Sequence, residues 1–559
     1  MKKKGAHILI DSLLEHEVDT IFGFPGGAML PVYDALFDSK IRHILTRHEQ
    51  GAIHAADAYS RVTGKVGVCM ATSGPGATNL VTGLANAFMD SVPLIAFTGQ
   101  VPTPMIGIDS FQEADIYGIS IPITKYNYLV KDVDNLKNII DEAFYIATTG
   151  RPGPVLIDLP KDIQVNESRQ WERQNLSLSS YQPHIRVNHK QVELAAKAIN
   201  KAKRPICYVG GGVIISGAHD LLRQLAENAH IPITTTLMGK GAFPETDKLS
   251  LGMLGMHGTK YANYAIGEAD LIIAIGARFD DRVTGKVEEF APKAMIIHID
   301  IDTAEIGKIV KVDIPIVGDA KDVLALLNPR IVKNDHARWV ARIEELKSTY
   351  PLSYKRDPGQ IKPQYVIEQI YEATGGDAII TTEVGQNQMW AAQYYKCSKP
   401  RTFISSGGLG TMGFGFPASI GAKVGRPDKV VFDIAGDGSF QMTIQELATA
   451  VHEGINVKIA ILNNGYLGMV RQWQQMFFKA RYSHTNIGPT PNFVKIAEGY
   501  GAEGILITQE EEVRPAVEQA IKLDKPVVLD FHVSPFENVF PMVPPGGAIN
   551  NMLDEEGRE

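Results

Sequence analysis

At 559 residues the chain is too long for one hydrophobic core, and its length favours three or four domains. Hydrophobic residues make up 44% and charged residues 21%, as in an ordinary soluble protein, and a net charge of −8 excludes an electrostatic footprint for nucleic acid or an anionic membrane surface. Cys69, Cys207 and Cys397 are too few and too scattered for a disulfide framework or a thiolate metal site, and read as buried, reduced thiols.

The start, MKKKGAHILIDSLLEHEV, sets Asp11, Glu15 and Glu17 among its apolar residues, so it reads as an amphipathic helix and not as a secretory signal. No run of about 18 apolar residues suggests a membrane span, so a cytoplasmic location is expected. From residue 5 to about 165, short β-rich runs at Thr20–Gly23, Arg42–Thr46, Val66–Met70 and Leu94–Thr98 alternate with amphipathic segments. That alternation predicts a doubly wound α/β unit with a parallel sheet. The polar stretch Asn166–Lys190 reads as a linker. A second α/β unit starts at Pro205 and runs to about Leu327, with buried strands at Ile206–Val209, Leu271–Ile275 and Ala294–Ile299. Residues 330–362, charged and proline-containing, read as a second boundary. The third unit carries strands at Ala378–Thr382, Thr402–Ile404, Val430–Ile434 and Lys458–Leu462, and a proline- and glycine-rich tail closes the chain as a flap or lid. The expected division is 1–165, 190–330, 362–535 and 536–559. The first and third units share a size and an alternation that fit an ancient duplication.

Two of the third unit's strands end in polar residues suited to one ligand. Gly436-Asp437-Gly438-Ser439 follows the first and Asn463-Asn464 ends the second, so a carboxylate and a carboxamide point into one crevice. Such a pair suits a hard divalent cation holding a diphosphate, with glycines that let phosphate approach the backbone. Each piece alone is also a common turn. Together, GDGSF…ILNN resembles the diphosphate–Mg motif of thiamine-diphosphate (ThDP) enzymes. In the first unit Glu49 lies where a strand ends and a helix begins. The helix dipole alone would favour a carboxylate there. The resemblance implies more: a Glu bonded to a pyrimidine nitrogen of ThDP, driving proton traffic at the cofactor.

Nine segments extend the resemblance along the chain: GFPGGAMLPVYDAL, RHEQGAIHAADAYSR, SGPGATN, FQEADI, RPGPVLIDLPKD, LGMHG, GARFDDRVTG, GGLGTMGFGFPA and LGMVRQWQ. In this order they are similar to the catalytic subunits of the acetohydroxyacid synthase (acetolactate synthase) family. The resemblance implies loss of carbon dioxide from pyruvate and addition of the remaining two-carbon unit to a second pyruvate or to 2-ketobutyrate. The products are 2-acetolactate or 2-aceto-2-hydroxybutyrate, in branched-chain amino-acid biosynthesis. It assigns Glu49, Gln112 and Lys161 to catalysis or its access channel. Gly408, Met412, Gly436, Asp437, Gly438, Ser439, Asn464 and Met469 join Glu49 around ThDP, where Met412 bends the cofactor. By the same resemblance Asp437, Asn464 and the backbone carbonyl of Tyr466 would hold Mg. Phe111, Arg278, Val470 and Trp473 face the substrates, Trp473 favouring the larger acceptor. Arg278 could hold a keto-acid carboxylate in its guanidinium fork, or merely pair with Asp280 or Asp281.

The same resemblance implies structural FAD on Arg151, Gly210, Gly211, Gly212, Thr236, Leu237, Met238, Leu254, Gly255, Met256, His257, Gly258, Gly276, Arg278, Asp300, Ile301, Gly318 and Asp319. The glycine triplet by itself lacks the full dinucleotide spacing. Shared active sites in the family imply a homodimer or tetramer, and feedback control there resides in a separate small regulatory subunit. The alternative is the flavin-independent catabolic acetolactate synthase, which normally lacks the segment RFDDRVTG found at 278–285. A nucleotide-binding reductase would need an intact glycine fingerprint, and a catalytically dead scaffold would be expected to lose Glu49, Asp437 or Asn464.

Overall fold

The run Leu271–Ile275 offers no polar alternate position, so both faces of the strand it forms must be covered, and all five of its residues are buried. Leu94–Gln100 and Pro154–Pro160 are buried end to end in the same way. Strands of this kind belong in parallel sheets between helix layers. The computed structural model contains three such sheets, each six-stranded. It describes residues 2–172, 178, 181–183 and 186–554; the remainder of the expected linker (173–177, 179–180, 184–185) and the end of the expected flap (555–559) lie outside the described residues.

The first sheet is built from β1 (Thr20–Gly23), β2 (Arg42–Leu45), β3 (Gly67–Ala71), β4 (Leu94–Gln100), β5 (Tyr126–Leu129) and β6 (Pro154–Pro160), in the order β2-β1-β3-β4-β6-β5. The second comprises β7 (Pro205–Val209), β8 (Ile233–Thr235), β9 (Ser250–Met253), β10 (Leu271–Ile275), β11 (Met295–Asp300) and β12 (Ile314–Val317), ordered β9-β8-β7-β10-β11-β12. The third holds β13 (Ile379–Thr382), β14 (Phe403–Ser405), β15 (Val431–Gly436), β16 (Lys458–Asn463), β17 (Glu503–Ile507) and β18 (Val527–His532), ordered β14-β13-β15-β16-β18-β17. Every pairing within these sheets is parallel. The first and third sheets have one topology, as duplication would leave. The middle sheet has the 3-2-1-4-5-6 order of dinucleotide-binding folds.

The predicted α/β class and parallel sheets stand. Every strand read from sequence is present within a residue or two of its expected ends, but β5, β6, β8, β9, β12, β17 and β18 were not read. Residues 330–362 are more than a boundary. They contain a helix, Ala337–Thr349, whose Trp339, Ile343 and Leu346 recur at helical spacing and are buried in the middle unit's core. The charges between them hid that stripe. In the expected linker, Lys3–Lys4 pairs antiparallel with Glu167–Ser168. The described part of the tail folds back on the middle unit: Val543 N donates to Met256 O at 2.8 Å, and Ala548 bridges Gly285.

The first and third units pack directly through α1 (Glu49–Thr63) and α2 (Gly415–Gly425). Backbones touch at Gly421, where a Cβ would lie 1.9 Å from the carbonyl oxygen of Ala55. Arg61 on α1 bridges Asp57 at 2.6 Å, Asp90 at 2.9 Å and the carbonyl of Ser405 at 2.8 Å. The three cysteines are buried and unbridged.

Candidate active site

Because every strand of a sheet points the same way, residues just after the strands collect along one edge, where open α/β sheets bind ligands. At the first sheet's edge Glu49 opens α1 just after β2. The His48 side chain caps the helix by accepting from Gln50 N at 3.1 Å. The Glu49 side chain is buried, and its Oε2 accepts from Asn79 Nδ2 at 2.9 Å. A Cβ on Gly76 would lie 3.1 Å from Glu49 Oε1, and one on Gly26 would overlap Thr72 at 2.5 Å. Glycine at 76 thus keeps that side of the carboxylate clear of a side chain.

Gly74 adopts φ +58°, a left-handed conformation that favours glycine, and a Cβ there would stand 2.6 Å from Gln112 O. The loop carrying Phe111 and Gln112 therefore lies against the turn that also contacts Glu49, with Phe111 89% exposed. Gln100 Nε2 ties this loop down by donating to Ala114 O at 2.9 Å and to Asp158 Oδ2 at 3.0 Å. Burial pushes the Asp158 carboxyl up to about 7. Lys161 is exposed, next to Pro160 at the end of β6 and so at the same edge.

At the third sheet's edge Asp437 follows β15, 1% exposed, and burial pushes its carboxyl up to about 7 although Gly465 N donates to Oδ2 at 3.0 Å. Asn464 follows β16; its Oδ1 accepts from Tyr466 N at 2.9 Å and its Nδ2 reaches Gln386 Oε1 at 3.3 Å. A Cβ on Gly468 would lie 2.1 Å from Gln386 Oε1. Ser439 Oγ closes the Gly436 turn, donating to Gly436 O at 3.2 Å. Among the described residues no group of three or more His, Cys, Asp and Glu could hold a metal. A cation at Asp437 would draw on one carboxylate, the Asn464 amide oxygen, backbone carbonyls and the oxygens of an anionic ligand. That all-oxygen set fits Mg, and its charge would relieve a buried carboxylate that otherwise has few partners.

Met412, half-buried, sits in a turn between Gly410 (φ +73°) and Gly413 (φ +87°). The buried Glu383 holds that turn, accepting from Gly413 N at 2.6 Å and Phe416 N at 2.9 Å. Gly408 N donates to Asp90 Oδ1 at 2.7 Å, which places Gly408 at the contact with the first unit. Met469, Val470 and Trp473 stand on the helix Gly468–Phe477 and line a cavity of about 750 Å³ with Phe477, Phe478 and Arg481. The buried Trp473 Nε1 has no hydrogen-bond partner among the described residues.

The middle sheet gathers the remaining expected residues. Gly210–Gly212 follow β7, Thr236–Met238 follow β8, Leu254–Gly258 follow β9, Gly276–Arg278 follow β10, Asp300 ends β11 with Ile301 just after it, and Gly318 and Asp319 follow β12. All six strands thus deliver their positions to one edge. A Cβ on Gly210 would lie 2.0 Å from Gly276 O, at the reversal between β7 and β10 where dinucleotides bind. Arg151 reaches over from the first unit to Asp302 (3.1 Å) and Glu305 (2.8 Å). Asp281 pairs with Arg282 at 3.4 Å, and Arg278 forms no ion pair among the described residues.

Family models describe the same three units. The N-terminal TPP-binding domain of thiamine pyrophosphate enzymes matches residues 3–119, their central domain 192–327 and their C-terminal TPP-binding domain 383–531. The acetolactate synthase large subunit of Corynebacterium glutamicum is 52% identical over 97% of this chain and 89% of its own length. The probable acetolactate synthase large subunit of Methanocaldococcus jannaschii is 52% identical over 98% and 95%, and the acetolactate synthase large subunit of Porphyra purpurea 48% over 99% and 95%. The chain belongs to the acetolactate synthase large-subunit family. As a member of that family it is a thiamine-diphosphate enzyme, a decarboxylating transferase of a two-carbon unit.

The residues expected at the site fall into two sets on two different sheets. Glu49, Phe111, Gln112 and Lys161 share the first edge; Met412, Asp437, Asn464, Tyr466, Met469, Val470 and Trp473 share the third. Among the described residues no hydrogen bond joins one set to the other. Asn79, Gln386 and Glu383 were not singled out from sequence, although they hydrogen-bond to these residues or to the turn that carries Met412. For Asn79 the signal existed, as the last letter of SGPGATN; Gln386, after the strand end Thr382 and the turn Glu383-Val384-Gly385, could have been found by treating every strand exit as a site position.

Proposed function

We propose that this chain condenses pyruvate with a second pyruvate or with 2-ketobutyrate, releasing carbon dioxide and forming 2-acetolactate or 2-aceto-2-hydroxybutyrate for branched-chain amino-acid biosynthesis. The observation that carries this reading is the pair of strand-edge sites, Glu49 on one sheet and Asp437 with Asn464 on another of identical topology. Bound ThDP supplies the nucleophilic carbon. Asp437, Asn464 and the Tyr466 carbonyl would hold Mg and the diphosphate, Met412 would support the bent cofactor, and Glu49, buried against Asn79, would hold and return the proton. Gln112 and Lys161 would flank the entrance. The separation of the two sets supports a homodimer or tetramer in which a second copy completes each site. A regulatory small subunit is the further partner that the large-subunit family suggests, and the cytoplasm the compartment. Pyruvate consumption measured with and without ThDP and Mg tests the reading; consumption independent of both sinks it.

Trp473 and Val470, on the cavity wall, would select the acceptor, with Arg278 taking its carboxylate. Trp473→Leu is expected to lower the preference for 2-ketobutyrate over pyruvate by about 10-fold, since an apolar contact of this size discriminates by about 1–3 kcal/mol. Product ratios from mixed keto acids measure it, and an unchanged ratio removes Trp473 from the selection.

The middle unit supports structural FAD, because its Rossmann strand order and its six converging strand ends form a dinucleotide cradle. The purified protein is expected to be yellow and to release FAD on denaturation. A colourless protein that gains neither stability nor activity from added FAD favours the catabolic, flavin-independent enzyme.

A further inference from the structure

Glu446 is a carboxylate for which the chemistry above has no use. It opens the helix Glu446–His452, on the segment that follows Asp437, and is 0% exposed. Both of its oxygens accept from the backbone N–H of Arg47, each at 3.1 Å, across the junction between the third and first units. Thr449 Oγ1 donates to its Oε2 at 2.6 Å. Space for the carboxylate exists because residue 51 is glycine: a Cβ there would stand 2.4 Å from Glu446 Oε1.

Arg47 precedes the helix, so its N–H has no partner within α1. Its guanidinium donates to Leu45 O at 2.7 Å, which fixes the other side of the same turn. The chain from β2 to Glu49 is thus clamped by its own strand on one side and by the diphosphate-bearing unit on the other. A carboxylate at this end of α1 also meets the positive end of the helix dipole. Burial pushes the Glu446 carboxyl up to about 7, against the pull of Thr449 and of the amides of Arg47 and His48. The hydrogen bonds from Arg47 N and Thr449 Oγ1, inside a fully buried junction, fix the group in place.

We propose that Glu446 is a positioning residue for Glu49. It ties the turn that delivers Glu49 to the segment that carries Asp437, so the orientation of the proton-handling carboxylate and the setting of the diphosphate crevice are fixed together. The proposal rests on the role given to Glu49 above. Loss of the tie lets the Arg47–Glu49 turn drift, and Glu49 leaves its contact with Asn79. Small misplacements of a catalytic group lower turnover more than they weaken substrate binding.

Glu446→Gln keeps the volume and one accepting oxygen but sets an NH2 group against the Arg47 N–H. In the full-length protein with ThDP and Mg, kcat for pyruvate consumption is expected to fall about 10- to 100-fold while KM for pyruvate stays within about twofold. In the cofactor-free protein, amide hydrogen exchange over residues 46–52 should speed up while the strands of the first sheet keep their protection. Wild-type kcat overturns the proposal whether or not exchange changes, since Glu446 is then at most a brace of the junction. If Glu446→Gln does not fold, Thr449→Val removes only the hydroxyl that donates to Oε2; kcat lower by about 3-fold with faster exchange supports the tie, and unchanged kcat overturns it. Glu49→Gln assayed in parallel separates the two readings. Wild-type turnover in that variant defeats the role of Glu49 itself, whereas an inactive Glu49→Gln beside a fully active Glu446→Gln defeats only the positioning role.

Discussion

Glu49→Gln lowers acetolactate formation by about 10²- to 10⁴-fold, the range by which a positioned proton-transfer group accelerates a reaction. The substitution is close to isosteric. Asn79 Nδ2, which donates to Glu49 Oε2 at 2.9 Å, can donate equally to the amide oxygen of glutamine, and the cap that the His48 side chain makes on Gln50 N does not involve the side chain at 49. Gly76 still leaves the face of the side chain open. What disappears is a group that can take and return a proton. The expected pattern is therefore a collapse of kcat with an unchanged melting temperature and near-normal ThDP binding by calorimetry. Turnover like that of the wild type would remove Glu49 from the chemistry. Loss of ThDP binding together with activity would assign it a holding role instead.

Much of this site was legible because its chemistry follows strand ends, and strand ends carry a sequence signal. Val430–Ile434 leading through Ala435 into Gly-Asp-Gly, and Lys458–Leu462 followed by Asn-Asn, place Asp437 and Asn464 at one edge from the sequence alone. Two of the unread strands show why a strand can lack a signal. β8, Ile233–Thr235, has three residues, too few for any period to register. β6, Pro154–Pro160, is bounded by prolines, which read as turn signals although its seven residues are all buried.

The helix Ala337–Thr349 was lost for the opposite reason: its charges outnumber the three apolar residues that matter. Orienting residues were the least legible. Glu446 is an ordinary helix glutamate until it is seen accepting from Arg47, almost four hundred positions earlier in the chain. Glu383 is a strand-end acid until the Gly413 and Phe416 amides converge on it. Their partners are distant backbone amides, which have no sequence signature at all.

Asp437→Ala should abolish activity at ordinary cofactor concentrations and weaken Mg-dependent ThDP binding by more than about 100-fold. Removing even an outer partner of a metal ligand lowers affinity about 10- to 100-fold, and Asp437 is the one carboxylate of the expected set. The stability of the cofactor-free protein should move the other way. Burial holds the Asp437 carboxyl near 7, above its ordinary value of 3.8. A carboxyl raised on folding makes ionisation destabilising: the penalty is absent below the unfolded value, grows as pH rises, and is complete above about 7. At pH 8 alanine escapes it, so the cofactor-free variant should melt at or above the wild-type temperature. Adding ThDP and Mg should then raise the wild-type melting temperature alone, because a ligand at 100 times its Kd stabilises by about 2.7 kcal/mol and one that no longer binds gives nothing. Thermal melts of both proteins at pH 8, with and without cofactors, read both signs. An equal cofactor-induced shift in the variant would move the diphosphate site away from Asp437, and a lower melting temperature without cofactor would mean that the carboxylate serves the fold before it serves the ligand.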